Sequence, residues 1–403
     1  MKRKLLVKAT PRAWFGAILL VLGALAAVLN LRYWQNKPVN DHLLQGSTWA
    51  RAGKLADAEQ EWRTALRLDP TRQEPYQLLS NLYLNTDHPD LAIPLLTHLR
   101  QIAPRSRHTL CNLTEAYIRI EDKQAALQTA RQAVTLEPDC PRAHALLGIL
   151  LGDQEDTRGA VAELTRATEL APADDKIALS LAQALLDGND LVGAERIARQ
   201  VIARNPSYPT AYYTLGRAYS RRTPTPENLR EAIAAFQKAT ELRPTWGDAY
   251  SELGRLRLQA GDNAGAIAAL EYLWKRGVRT EEAAYNLASA YRKVGNQARA
   301  DQMNQEFKRI SDYNRKYEVL RKHLSVEPNN AEVALQLAQL EIKGGSLVEA
   351  RDLLEGVLKL RPRDPRALQA AIQLYDKGGD KKLASAYRER LANVERETKE
   401  AKR

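Results

Sequence analysis

The sequence predicts an all-α chain, an α-solenoid of about ten helix–turn–helix units preceded by one transmembrane helix. Three observations carry that expectation. Pro70, Pro104, Pro138, Pro172 and Pro206 recur every 34 residues. An alanine stands twelve residues before each of them, and the alanine column runs on long after the last of these prolines. Residues 13–31, AWFGAILLVLGALAAVLNL, contain no charged side chain in 19 positions.

Residues 1–12 form a basic tail in which Lys2, Arg3, Lys4, Lys8 and Arg12 contribute +5 of a formal net charge of +11. As a helix, the apolar stretch that follows would span about 28 Å, enough to cross a hydrocarbon core of about 30 Å. Trp14 near one end, and Tyr33 and Trp34 just past the other, suit the headgroup level. Basic residues before the stretch outnumber Arg32 and Lys37 behind it, which keeps the N-terminus in the cytoplasm and sends the remainder across a plasma membrane. Ala24-Leu25-Ala26 offers the alternative of export with signal cleavage near Ala26, but the apolar run continues to Leu31, which suits a retained anchor.

The repeats come next. With 18 prolines in 403 positions, four further hits at one fixed spacing have a chance of about four in a million. The alanine column comprises Ala58, Ala92, Ala126, Ala160, Ala194, Ala232, Ala266, Ala300, Ala350 and Ala384. A position never larger than a methyl group marks a close crossing of two helices, where a bigger side chain would force them apart. A second small column holds Gly46, Ser80, Thr114, Gly148, Ala182, Gly216, Gly254, Ala288 and Ala338, mostly with a leucine one residue earlier. Gly53, Gly261, Gly295, Gly345 and Gly379 lie between the columns, where positive φ can end a first helix, and the proline stops the second. The reading places repeats one to eight at 39–314, a helical linker at 315–330, and repeats nine and ten with a polar capping helix at 331–403.

This pattern resembles the tetratricopeptide repeat, which repeat six reproduces with Leu215-Gly216, Tyr219, Ala232, Phe236, Ala239 and Pro244. The resemblance runs from Val39 to about Val394 and implies a right-handed superhelix. Departures from it are informative. Repeat six carries four extra residues, so RRTPTPEN (221–228) reads as a longer turn. Repeat seven has Arg257 where the family prefers an aromatic, and closes with Gly277-Val278 in place of proline. About 16 extra basic, helix-forming residues between repeats eight and nine suggest a bend that divides the array in two.

Catalytic signatures are missing: no HExxH, P-loop, GxSxG or GxGxxG with a suitable acid occurs. The expectation is no enzyme, no cofactor and no metal. The six histidines are scattered, and His144 falls at a first-helix packing position. Cys111 and Cys140 supply neither a disulfide scaffold nor a zinc site, and read as small half-buried residues. The sequon Asn112-Leu113-Thr114 lies inside an expected helix and reads as fortuitous. Basic charge so diluted by acids argues against nucleic acid as a partner.

The resemblance implies a protein or peptide ligand in a concave groove lined by first helices at their second, fifth, ninth and twelfth positions. Carried over, these are Gln77 and Asn81 in repeat two, Tyr213 and Arg217 in six, Arg255 in seven, and Tyr285 and Arg292 in eight. Arg and Tyr are frequent interface anchors. The carboxylate clamp of chaperone-binding relatives is not supplied at Leu43, Asn81 and Cys111. Only Asn112 and Asn286 fit the asparagine ladder of the glycosyltransferase-linked superhelix. The function expected is a membrane-anchored scaffold or assembly factor with its solenoid in a periplasm. Alternatives are a regulatory subunit of an envelope enzyme or secretion machine, and an organelle import receptor with its solenoid in the cytosol.

Overall fold

The computed structural model describes residues 37–104 and 109–400. The basic tail and the expected transmembrane helix lie outside the described residues, among which no helix is long and apolar enough to cross a membrane. Every regular element among the described residues is helical.

The chain divides into two compact units, one ending at Thr223 and one beginning at Pro224. In the first, α1 covers residues 37–51. It is followed by α2 (Leu55–Leu68), α3 (Gln73–Asn85), α4 (Pro89–Ile102), α5 (Thr109–Arg119), α6 (Lys123–Leu136), α7 (Pro141–Asp153), α8 (Thr157–Leu170), α9 (Asp175–Asp187), α10 (Leu191–Arg204) and α11 (Pro209–Ser220). The second contains α12 (Pro226–Leu242), α13 (Gly247–Gln259), α14 (Asn263–Lys275), α15 (Glu281–Lys293), α16 (Gln297–Val326), α17 (Ala331–Gly344), α18 (Leu347–Leu360), α19 (Pro365–Gly378) and α20 (Lys381–Glu400).

Small residues set the packing. All ten alanines of the column are at most 1% exposed. The second small column faces a bulky one: a Cβ at Gly148 would come within 2.7 Å of Leu164, and one at Gly254 within 2.4 Å of Leu270. The two helices of a repeat therefore lie in close contact along their length, as α7 does with α8 and α13 with α14. First helices also touch the first helix of the next repeat, α3 with α5, α5 with α7, α7 with α9 and α9 with α11, and likewise α13 with α15 and α17 with α19. No pair of second helices packs comparably within either unit among the described residues. First helices thus form the tighter layer in each unit.

The turn between paired helices is left-handed. Gly53, Gly261, Gly295, Gly345 and Gly379 take φ between +75° and +100°, as the sequence predicts. Repeats two to five make the same turn with Asp87, Glu121, Glu155 and Asn189 at φ of 60° to 64°, which no glycine pattern announces. The next residue then caps the second helix. Asp122, Asp156, Asp190 and Asp262 each accept a hydrogen bond from the backbone N–H three residues on.

Several expectations need correction. The residues assigned to a separate linker continue the second helix of repeat eight, so α16 runs unbroken for 30 residues through 315–326. The polar C-terminal helix likewise continues the second helix of repeat ten, α20, whose only buried residue is Ala384. Cys111 and Cys140 are free and fully buried, not half-buried. Burial, then the neighbouring Cys140, push the Cys111 thiol up to about 12. The insertion of repeat six does form the longer turn, with Thr225 capping α12.

Candidate peptide-binding face

The layer of first helices in the first unit is tied together by polar side chains. Asn112 Nδ2 on α5 donates to Asn81 Oδ1 on α3 at 2.9 Å, and Arg142 Nη1 on α7 donates to Asn112 Oδ1 at 2.7 Å. Arg142 also reaches Glu115 at 2.5 Å, which accepts a second bond from Arg119 at 2.5 Å. Farther along, Arg217 Nη1 on α11 donates to Gln183 Oε1 on α9 at 2.6 Å. α3, α5 and α7 are thus tied in succession, and α9 is tied to α11, each through side chains 30 to 34 residues apart.

Basic side chains also close the ends of these helices. Arg119 donates to the carbonyl of Leu84, Arg221 to that of Leu186 at 2.6 Å, and Lys377 to that of Ile342 at 2.5 Å, always across 35 residues. Each bonds a carbonyl of a helix's last turn, adding to a backbone N–H bond at Leu84 and Leu186, and places positive charge at the negative end of the helix dipole.

Second helices are joined to the layer by recurring knots. Tyr83 donates to Glu59 at 2.7 Å while Arg63 donates to the Tyr83 hydroxyl at 2.7 Å. The same trio recurs 136 residues later: Tyr219 donates to Glu195 at 2.5 Å and Arg199 to Tyr219 at 2.7 Å. Arg222 adds a bond to Glu195 at 2.6 Å. Burial alone would raise the pKa of Glu195, but hydrogen bonds from Tyr219, Arg199 and Arg222 outweigh it and hold the carboxyl at about 2. His144 is buried and bonds Glu163 at 2.6 Å and the Pro138 carbonyl at 2.9 Å, a packing role.

Against this frame the site residues expected from the sequence fall into two groups. Gln77 and Tyr213 are half-buried, and Asn81 is held by Asn112. Arg217 is bonded to Gln183 and lies 4.0 Å from Asp187, while Arg255 pairs with Glu252 at 2.6 Å. Tyr285 is 61% exposed on α15, its ring 6.0 Å from Phe307 of α16, and Arg292 is exposed on the same helix. Gln77, Asn81, Tyr213 and Arg217 belong to the first unit; Arg255, Tyr285 and Arg292 belong to the second. Of the three arginines expected in the groove, Arg217 and Arg255 therefore already face acceptors on their own or the adjoining first helix. Sequence reading missed Asn112, Glu115 and Arg142 as members of this face. Their signal was polar residues recurring at the sites where first helices meet.

A family model described as the tetratricopeptide repeat matches residues 153–219 and 312–374, and a second of the same description matches 112–175 and 251–312. Together they cover more than half of the 403 residues. The chain is 22% identical over 199 residues to the BBSome complex member BBS4 homolog of Drosophila melanogaster, a match spanning 49% of this chain and 40% of that protein. It therefore spans less than half the length of that curated relative. Among solved structures, a tetratricopeptide repeat protein of Parabacteroides merdae is similar at a TM-score of 0.50 and 16% identity, over 63% of this chain and 99% of that one. The pilF protein of Pseudomonas aeruginosa is similar at 0.47 and 17%, over 56% and 99%. The alanine column, the left-handed turns, the layer of first helices and the matched repeat models lead to one conclusion: this chain is a tetratricopeptide repeat protein.

Proposed function

We propose that the chain is a binding scaffold that holds a peptide or protein against its first helices, and that residues 13–31 tether it to a membrane with the repeats on the non-cytoplasmic side. The observation that carries the binding reading is Tyr285, a large ring 61% exposed on a first helix, with the exposed Arg292 two turns along. Burying such a ring against a partner recovers roughly 1.5–3 kcal/mol. In the first unit, polar side chains tie α3 to α5, α5 to α7, and α9 to α11, so that part of the first-helix layer meets a ligand already ordered, which lowers the entropic cost of binding. The Drosophila relative is named as a member of a complex, which accords with a role in assembly. The tether rests on the uncharged stretch and its basic flank.

Capture of partners from solubilised membranes tests the binding face. Full-length protein carrying Tyr285→Ala with Arg292→Glu should lose the partner that the wild type retrieves, at an unchanged melting temperature. Equal retrieval by both would move the binding surface elsewhere. For the tether, deleting residues 13–31 should release the protein from the membrane fraction, and an active cytoplasmic reporter fused after Arg403 would reverse the topology.

A further inference from the structure

Repeat seven departs from the pattern at its close, and a second surface is built there, wholly within the second unit. α14 stops at Lys275, Gly277 turns the chain at φ +85°, and Val278 occupies the place of the closing proline. A Cβ on Gly247 would lie 3.4 Å from Val278, so the turn rests on the start of α13. Aromatic rings and guanidiniums gather around this contact. Tyr250 of α13 stacks on Tyr272 of α14 with centroids 4.5 Å apart and planes 16° from parallel. Arg276 lies 3.6 Å from the Tyr272 centroid, Arg279 lies 5.6 Å from that of Trp274, and Arg243 lies 5.3 Å from that of Trp246.

The four rings are half-buried and the three arginines are exposed. Neighbouring cations find acids, as Arg257 does with Asp262 and Lys275 with Glu271, yet Arg243, Arg276 and Arg279 make no ion pair among the described residues. Asp248 and Glu281, in the first turns of α13 and α15, do not neutralise them. A guanidinium held over a ring by cation–π attraction has less rotamer freedom left to lose and still offers several N–H groups; Arg276 gives one, on Nη1, to the Tyr272 carbonyl at 3.3 Å and keeps the others for a ligand. Such a fork is prepared for a planar carboxylate with little rotamer freedom left to lose. Several of them near one turn match an extended chain that offers carboxylates in succession.

We propose that this surface docks an acidic linear segment of a partner protein, its carboxylates taken by Arg243, Arg276 and Arg279. The site is distinct from the first-helix face and does not depend on it. The probe is a fluorescein-labelled oligo-glutamate peptide titrated with full-length protein in detergent and followed by anisotropy, with oligo-glutamine and oligouridylate as comparisons. Oligo-glutamate should bind the wild type. Arg276→Gln with Arg279→Gln should weaken it at least about tenfold, whereas the paired Lys variant should retain part of the affinity because a point charge replaces a fork. Arg243→Gln, which leaves the tyrosine stack untouched, should weaken binding separately and guards against a folding defect in the double variant. Tyr285→Ala with Arg292→Glu should bind as the wild type does, which separates this site from the first-helix face. Failure of the wild type to bind, equal affinity in all three Gln substitutions, or tighter binding of oligouridylate than of oligo-glutamate would each overturn the proposal.

Discussion

Repeats two to five and repeats seven to ten bend the chain at the same place with different residues. The first region uses Asp87, Glu121, Glu155 and Asn189 at φ of 60° to 64°; the second uses Gly261, Gly295, Gly345 and Gly379 at 77° to 100°. A residue with a Cβ in this conformation costs about 1–2 kcal/mol, less for Asn and Asp, and glycine costs nothing of the kind. The regions also differ in side-chain cross-links. Glu195 collects bonds from Tyr219, Arg199 and Arg222, whereas at the equivalent Tyr291 the Arg199 position is taken by Glu271, which accepts bonds from Tyr291 and Lys275. The first region thus holds strained turns against a richer set of polar ties, and the second relies on permissive backbone. What both share is the packing of small columns against bulky ones. Helix crossing therefore sets the turn, and the turn residue follows as best its chemistry allows.

If the crossing governs both regions, breaking it should cost the same in each. Gly148→Leu and Gly254→Leu should both destabilise by about 3 kcal/mol or more, because their Cβ atoms alone would meet Leu164 at 2.7 Å and Leu270 at 2.4 Å. Chemical denaturation followed by circular dichroism measures this. A cost near zero in one region would show that its helices separate freely, and the shared-packing account would fail there.

The polar ties should make the regions differ in acid. The pKa of Glu195 is lowered from 4.5 to about 2, so its contribution is present above pH 4.5 and is lost as pH falls toward 2. The loss is of order 2 kcal/mol. Unfolding free energy measured across that window should fall more steeply in the wild type than in Glu195→Gln. Glu271 is also lowered, chiefly by Lys275 and then Tyr291, so Glu271→Gln should flatten the curve in the same sense but less. Parallel curves for wild type and Glu195→Gln would show that the knot has no net worth.

The contrast also explains what was readable in advance. The alanine column was legible because only one residue type fits a close helix crossing, so its identity repeats. Glycine turns were legible for the same reason, but Glu121 and Glu155 were not, since a left-handed glutamate carries no compositional mark. The division of the array expected between repeats eight and nine falls instead between Thr223 and Pro224, and the extra helix-forming residues extend α16 from the repeat before them. At the candidate site, Arg217 and Arg255 were named without their acceptors: Gln183 lies 34 residues from Arg217 on another helix, where only packing brings it near, whereas Glu252 is three residues before Arg255 on one helix and was readable from that spacing. Tyr285 and Arg292 are exposed on α15 and make no such bond among the described residues.

The smallest effect tests the strain itself, through a reciprocal exchange. Glu155 is exposed and its side chain makes no hydrogen bond or ion pair among the described residues; the bonds across the turn run through its backbone, from its N–H to Gly152 and from Thr157 to its carbonyl. Replacing it by glycine removes a Cβ from the left-handed region and leaves those bonds in place. The gain is partly offset because glycine widens the conformational range of the unfolded chain. Glu155→Gly should therefore stabilise by about 0.5–1 kcal/mol and raise the melting temperature slightly. In the converse change, Gly261→Glu, the new Cβ meets nothing within 4 Å, so no clash at Cβ contributes and the cost is assigned to φ. It should destabilise by about 1 kcal/mol. Opposite signs of similar size would locate the difference between the regions in the backbone of their turns; a loss from both exchanges would mean that Glu155 supports the turn through its side chain, and that the first region is not strained there.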